Sequence, residues 1–242
     1  MESTFPLLFA ALVGFGHAFE ADHLLAVSNI VTRRKSVLAA IKDGIAWGLG
    51  HTSTIFVIGL MIIVGKVAIT EQTFHYFEAA VGAMLVGLGL LRLQYLWKQG
   101  RPMHRHWHWS AIFLRKKQSP RTATPFRPPT HPAFDSNLAL QYAPPAESHR
   151  LAYAIGLVHG LAGSGALVLL VMSQIPNAAS AMLYLLIFGA GSIAGILLAS
   201  GVFSLPFSKK LSASTVLQTS LTVLSSVLCI GYGGMVIFEN LG

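Results

Sequence analysis

The sequence predicts an all-α integral membrane protein whose six transmembrane helices form two inverted three-helix repeats. Three observations predict it. Only 11% of the 242 residues are charged and 53% are hydrophobic, with mean hydropathy +0.61, whereas soluble domains carry about 25% charged residues. Six apolar segments, about 5–31, 44–65, 74–98, 151–174, 178–203 and 214–239, each approach the ~20 residues that cross ~30 Å of hydrocarbon. Short Gly-rich motifs in the first three segments recur, in order, in the last three.

The first segment, 5–31, carries the densest polar cluster of the chain. His17, Glu20, Asp22 and His23 fall within seven residues of Gly14-Phe15-Gly16-His17-Ala18-Phe19-Glu20-Ala21-Asp22-His23. A charged group at the centre of a bilayer costs about 2.5–3.5 kcal/mol on insertion scales. Four such groups therefore need partners, a water-filled cavity or a metal. Imidazole with carboxylate is a ligand set for borderline divalent ions such as Ni, Co and Zn. The plainer alternative is a polar cluster that only joins helices.

In the second segment His51 precedes Thr52, Ser53 and Thr54, which suits either a ligand or a neutral packing histidine beside hydroxyls bonded to their own backbone. The fourth segment holds His159, with Gly160, Gly163, Ser164 and Gly165 after it. His159 suits a donor to a carbonyl across the repeat interface as well as it suits the cluster. The lone Cys229 excludes an internal disulfide and a multi-cysteine metal site.

The connections alternate in charge. Arg33, Arg34, Lys35 and Lys42 follow segment 1; Glu71, His75 and Glu78 follow segment 2; a basic stretch at 99–150 follows segment 3. Gln174-Ile175-Pro176-Asn177 is uncharged, Lys209 and Lys210 follow segment 5, and only Glu239 is charged near the end. Basic loops stay cytoplasmic, so both termini are expected outside an inner (plasma) membrane, with 16 of the 17 Lys and Arg at or near the cytoplasmic side. This placement explains the basic excess without nucleic acid. Residues 1–4 lack a basic n-region, so no cleavable leader is expected.

Three regions follow: a first repeat at 1–98, a loop at 99–150 and a second repeat at 151–242. The loop holds eight Pro, eight Lys or Arg and five of the ten His, a composition that predicts a solvated, largely disordered segment. Met103-His104-Arg105-His106-Trp107-His108-Trp109 reads as a basic-aromatic stretch on anionic lipid or a weak metal binder.

The repeat rests on spacing. Gly14-Phe15-Gly16-His17-Ala18 matches Gly156-Leu157-Val158-His159-Gly160, and Trp47-Gly48-Leu49-Gly50-His51 matches Phe188-Gly189-Ala190-Gly191-Ser192. Gly87-Leu88-Gly89 matches Gly231-Tyr232-Gly233; the offsets are 142, 141 and 144. Three spans per half require inverted halves, an architecture of transporters with the binding site near the midplane. At ~1.5 Å per residue, His23, His51 and His159 each lie ~13–15 Å from their nearest cytoplasmic charge, and His17 ~9 Å further out. On an unbroken helix His17 and His23 are about 120° apart. One ion takes both only if the helix unwinds, for which Gly14 and Gly16 are candidates.

His17-Ala18-Phe19-Glu20-Ala21-Asp22-His23 resembles the His-x4-Asp-His signature of the nickel/cobalt transporter (NiCoT/NicO) family. Gly50-His51-Thr52-Ser53 resembles its Leu-Gly-His-Ser motif, with Thr52 in place of Ser. Residues 156–165 resemble the urease-accessory-type nickel permease branch. The resemblance implies transport of Ni²⁺, and of Co²⁺ as second choice, as substrate rather than as a prosthetic group, and a cytoplasmic metallochaperone or nickel-enzyme maturation factor as partner.

Asp22, His23 and His51 are then the expected ligands. His17 and Glu20 complete the shell or form an outer station, and His159, Ser164, Thr52 and Ser192 support the ligands or gate the path. Metal binding displaces protons, so affinity is expected to weaken as pH falls through the ordinary imidazole range near ~6.5. The alternatives are a membrane metalloenzyme of hydrolase or oxidase type, for which His-Glu-x-x-His and clustered His boxes are absent from the sequence, and a non-transporting protein that delivers metal.

Overall fold

A computed structural model describes residues 4–31, 34, 36–100, 149–161, 175–207 and 215–242, which form helices and short connections with no strand among them. The helices are α1 (Thr4–His17), α2 (Ala21–Val31), α3 (Val37–Ile63) and α4 (Glu71–Gly100). After them come α5 (His149–His159), α6 (Ala178–Ser204) and α7 (Thr215–Leu241), with a short 3₁₀ turn at Leu205–Phe207 ending α6. Four of them, α3, α4, α6 and α7, are long and apolar enough to cross a membrane. Nearly all of the predicted loop 99–150, and predicted segment 4 beyond Leu161 with Ser164, lie outside the described residues.

Predicted segment 1 is not one continuous helix. Its helix stops at His17 and restarts at Ala21. The N–H groups of Phe19 and Glu20 turn back to the carbonyls of Gly16 and His17, at 3.0 and 3.1 Å, a tightened last turn. The restart places Asp22 in the first turn of α2, where the helix dipole favours an anion. Glycine freedom does not make this break, because no described glycine has a positive φ. Helices α1 and α5, of 14 and 11 residues, reach only ~21 and ~16 Å, short of a bilayer core.

Two connections are shorter than predicted. Lys42 belongs to α3, and Glu71, His75 and Glu78 belong to α4. The Thr70 hydroxyl accepts from the Thr73 N–H at 3.3 Å and satisfies a first-turn donor of α4. Asn177 does the same for α6, accepting from Ala179 and Ser180.

Close approach is where glycine acts. A side chain at Gly14 would meet the Phe188 carbonyl at 2.0 Å, and one at Gly156 the Trp47 carbonyl at 2.1 Å. Gly191 and Gly50 lie in the same way under the carbonyls of Ala11 and Tyr153, at 2.1 and 2.2 Å. These are counterpart contacts: 14 and 11 become 156 and 153 on adding 142, and 47 and 50 become 188 and 191 on adding 141. The α4–α7 pair repeats the pattern, with Gly89 against Ser226 O at 2.6 Å and Gly233 against Gly82 O at 2.5 Å, an offset of 144. Thus α1 packs on α6 as α5 packs on α3, and α3 and α6 pack on each other. Such backbone contact is how helices associate where lipid removes the hydrophobic drive between them.

The core gathers Trp47, Val27, Leu85, Ile155, Ile196 and Cys229, with a second cluster around Ile55, Leu185 and Phe188. Asn29 joins α2 to α7, donating to the Ser225 carbonyl and accepting from the Ser226 hydroxyl, each at 3.4 Å. Asp43 is buried in α3 and accepts from Arg34 and from His149 Nδ1, the latter at 2.8 Å, which ties the start of α5 to α3. Arg92 is buried with its guanidinium 5.5 Å from the Tyr95 ring centre. Leu38, Val57, Leu198, Leu228 and Phe238 face outward, a surface that lipid covers.

Candidate metal centre

The break in segment 1 brings together residues that a continuous helix would separate. The rings of His17 and His23 are 4.4 Å apart between centroids, so the ~9 Å axial separation expected for a continuous helix is not realised. His51, from α3, lies 5.3 Å from His17 and 4.9 Å from His23. His159, the last residue of α5, lies 4.4 Å from His23. All four imidazoles are buried, with His23 and His159 fully enclosed.

Carboxylates hold three of these rings, those of His17, His23 and His159, by one nitrogen each. Glu20 lies 3.0 Å from His17 Nδ1. Asp22 Oδ1 lies 2.9 Å from His23 Nδ1, and its Oδ2 lies 3.1 Å from His159 Nε2. A carboxylate accepts and does not donate, so those nitrogens carry the protons and donate. The lone pairs then sit on His17 Nε2, His23 Nε2 and His159 Nδ1. Among the described residues the last two, and His51 Nδ1, are buried with no hydrogen-bond partner. A carboxylate behind an imidazole, as at His17, His23 and His159, is the arrangement that orients histidine ligands and raises their basicity.

Two sets of donors are close enough for one ion. Those of His17, His23 and His51 lie within 4.8 Å of one another, and so do those of Asp22, His23 and His159. His17 Nε2 and His51 Nε2 are 3.2 Å apart. With metal–nitrogen bonds of ~2.1 Å, two ligands on one ion lie about 3.0 Å apart in cis octahedral and about 3.4 Å in tetrahedral geometry. The observed spacing falls between these. Helix ends add to the field: α1 and α5 both stop at a cluster histidine, and helix C-termini favour cations.

Aromatic walls complete the enclosure. Phe188 packs 5.3 Å from the His17 ring, and Trp47 packs 5.0 Å from that of His159. Beside Asp22 is a cavity of about 360 Å³ bordered by Glu20, Glu78, Tyr232, Glu239 and Asn240.

Of the remaining candidates, Thr52 donates to the Gly189 carbonyl at 3.4 Å and links α3 to α6. Ser192 is buried, its hydroxyl without a partner among the described residues. In the sequence Trp47 and Phe188 stand out only as markers of the repeat, and the cavity acids Glu78 and Glu239 do not stand out as a pair. Glu78 and Glu239 sit at the ends of segments paired by the repeat, which was the available signal.

The chain is 34% identical over 201 residues to the urease accessory protein UreH of Bacillus sp. (strain TB-90), an alignment covering 81% of this chain and 75% of that protein. It is also 34% identical over 89 residues to the nickel transporter NicT of Mycobacterium tuberculosis (strain ATCC 25618 / H37Rv), covering 33% of this chain and 23% of that protein. The chain belongs to the nickel/cobalt transporter family. No protein-family model and no solved structure matches it. As a membrane-embedded member of this family, it presents a buried, nitrogen-rich and sulfur-free cluster, a donor set that suits Ni²⁺ and Co²⁺ and disfavours Cu(I).

Proposed function

We propose that this protein carries Ni²⁺, and Co²⁺ as second substrate, across the inner membrane through the histidine cluster at the break between α1 and α2. The observation that carries the reading is the convergence of buried His17, His23 and His51, with Glu20 and Asp22 behind the first two. The imidazoles bind the ion; the carboxylates fix the rings and offset part of its charge. The cavity beside Asp22 is wide enough for an ion with much of its hydration shell, at ~30 Å³ per water. No prosthetic group is needed.

The proposed architecture is six spans in two inverted three-helix repeats, with both termini outside. The exchanged contacts Gly14–Phe188 and Gly156–Trp47 support it, as does the alternation of basic loops. On the cytoplasmic side the ion would pass to a metallochaperone or a nickel-enzyme maturation factor. A non-transporting role in metal delivery is the second reading, favoured by the likeness to a urease accessory protein.

Radiolabelled Ni²⁺ flux into proteoliposomes of the purified chain, with and without a pH gradient, separates the two. Saturable flux that His51→Ala abolishes supports transport. Metal binding without flux supports delivery.

A further inference from the structure

The cluster has two donor sets that share His23, and the chain repeats the surroundings of one around the other. His17 ends α1 and His159 ends α5. The turns after them match bond for bond: Ala18 N–H to Gly14 O and Phe19 N–H to Gly16 O in one, Gly160 N–H to Gly156 O and Leu161 N–H to Val158 O in the other. His17 packs on Phe188 as its counterpart His159 packs on Trp47. The two half-helices thus bring two like-built termini, each ending in a buried imidazole, to within 4.4 Å of the His23 ring centre.

We propose that the protein holds two overlapping metal stations and that the ion passes from His17, His23 and His51 to Asp22, His23 and His159, with His159 a ligand of the second. This rests on reading the cluster as a metal path. Asp22 Oδ2 and His159 Nε2 are 3.1 Å apart, a separation that also suits two ligands on one ion. An ion between them takes the place of the His159 proton. His159 then offers Nε2 as its other tautomer, with the proton on Nδ1, which is buried and has no partner among the described residues. His23 stays bound throughout while His17 and His51 leave and Asp22 and His159 join, so the ion is never bare in a low-dielectric interior. The start of α5 is tied to Arg34 through Asp43, so α5 brings His159 to the cluster from the end of the bundle that carries Arg34 and Lys42.

The test compares equilibrium binding with flux in the purified full-length chain. Co²⁺ is the probe, followed by its visible absorption in detergent, and Ni²⁺ flux is measured in proteoliposomes. His159→Ala should bind Co²⁺ with nearly wild-type affinity at the first station, yet lose flux by at least about tenfold. His159→Gln can still donate to Asp22 but offers no imidazole nitrogen, and it should be equally slow. Wild-type flux in His159→Ala overturns the proposal. So does recovery of flux in His159→Gln, which would make His159 a positioning residue for Asp22; this variant decides if His159→Ala fails to insert. Loss of Co²⁺ binding in a properly inserted His159→Gln also overturns it, since one indivisible site would then use all four histidines. His51→Ala tests the underlying reading separately: wild-type binding and flux there would remove the metal path itself.

Discussion

Asp22 and His159 meet across 137 residues of sequence, with Oδ2 of the carboxylate 3.1 Å from Nε2 of the imidazole. The same carboxylate holds His23 through Oδ1, both at Nδ1 and at the backbone N–H, at 2.9 and 2.8 Å. One side chain therefore sets the orientation of two buried rings that come from different halves of the chain.

Asp22→Asn tests that role. The amide keeps the volume but presents one acceptor oxygen instead of two and removes the charge that offsets the ion. Loss of a carboxylate behind a histidine ligand typically weakens metal affinity 10–100-fold. A loss of about that size in Co²⁺ affinity, with normal insertion, is expected from spectroscopic titration. An unchanged affinity would show that Asp22 serves packing alone.

The cluster was legible in the sequence because four ionisable residues within an apolar segment demand an explanation. What it could not supply was the geometry of the break. Gly14 and Gly16 drew attention as the weak points, yet the helix interrupts at Ala18–Glu20, where Asp22 favours a new helix start. Gly14 instead lets α1 approach the Phe188 carbonyl, a tertiary contact invisible to local reasoning. The 142- and 141-residue offsets matched Gly14 with Gly156 and Trp47 with Phe188 as counterparts, but that Gly14 packs on Phe188 and Gly156 on Trp47 was not contained in them. Asp43 with Arg34 and His149 was not foreseen, because Lys42 and Asp43 read as part of a polar loop rather than as the first turns of α3.

Substitutions at the close glycines should separate packing from chemistry. Gly14→Leu and Gly156→Leu both force side chains into backbone carbonyls about 2 Å from the ideal Cβ, so whole helices must shift. Overpacking of this kind costs about 1–3 kcal/mol or more. Both variants should melt earlier in detergent and lose flux, whereas Gly16→Ala, with nothing within 4 Å of the added carbon, should melt like wild type. Equal melting of all three would contradict the helix contacts described.

The cavity acids should act on capture rather than on binding. Glu78 and Glu239 border the cavity beside Asp22 but touch none of the four cluster histidines among the contacts described. Charge that only raises the local cation concentration acts on association and is screened by salt. A Glu78→Gln/Glu239→Gln double variant should raise KM for Ni²⁺ several-fold at low ionic strength, leave the maximal rate unchanged, and converge with wild type near 0.5 M salt. A fall in maximal rate with unchanged KM would place these acids on the transport step instead.

The last expectation concerns orientation and follows from charge alone. Reporter fusions after Gly100 should read cytoplasmic and fusions at Gly242 external, because the basic residues fall in alternate connections. The half-helices give this test its weight. With α1 only ~21 Å long and α5 ~16 Å, each reaches the cluster from one surface without crossing. If the halves are inverted, His17 closes a route from the side of the first residues, and His159 one from the opposite side. Cysteines introduced at Leu8 and Leu151, near the outer ends of α1 and α5, should then react with a membrane-impermeant thiol reagent from opposite faces of intact vesicles. The buried Cys229 should stay silent in both. Labelling of the two positions from the same face would mean parallel halves, and neither the repeat as drawn nor a path running from one half-helix to the other would survive it.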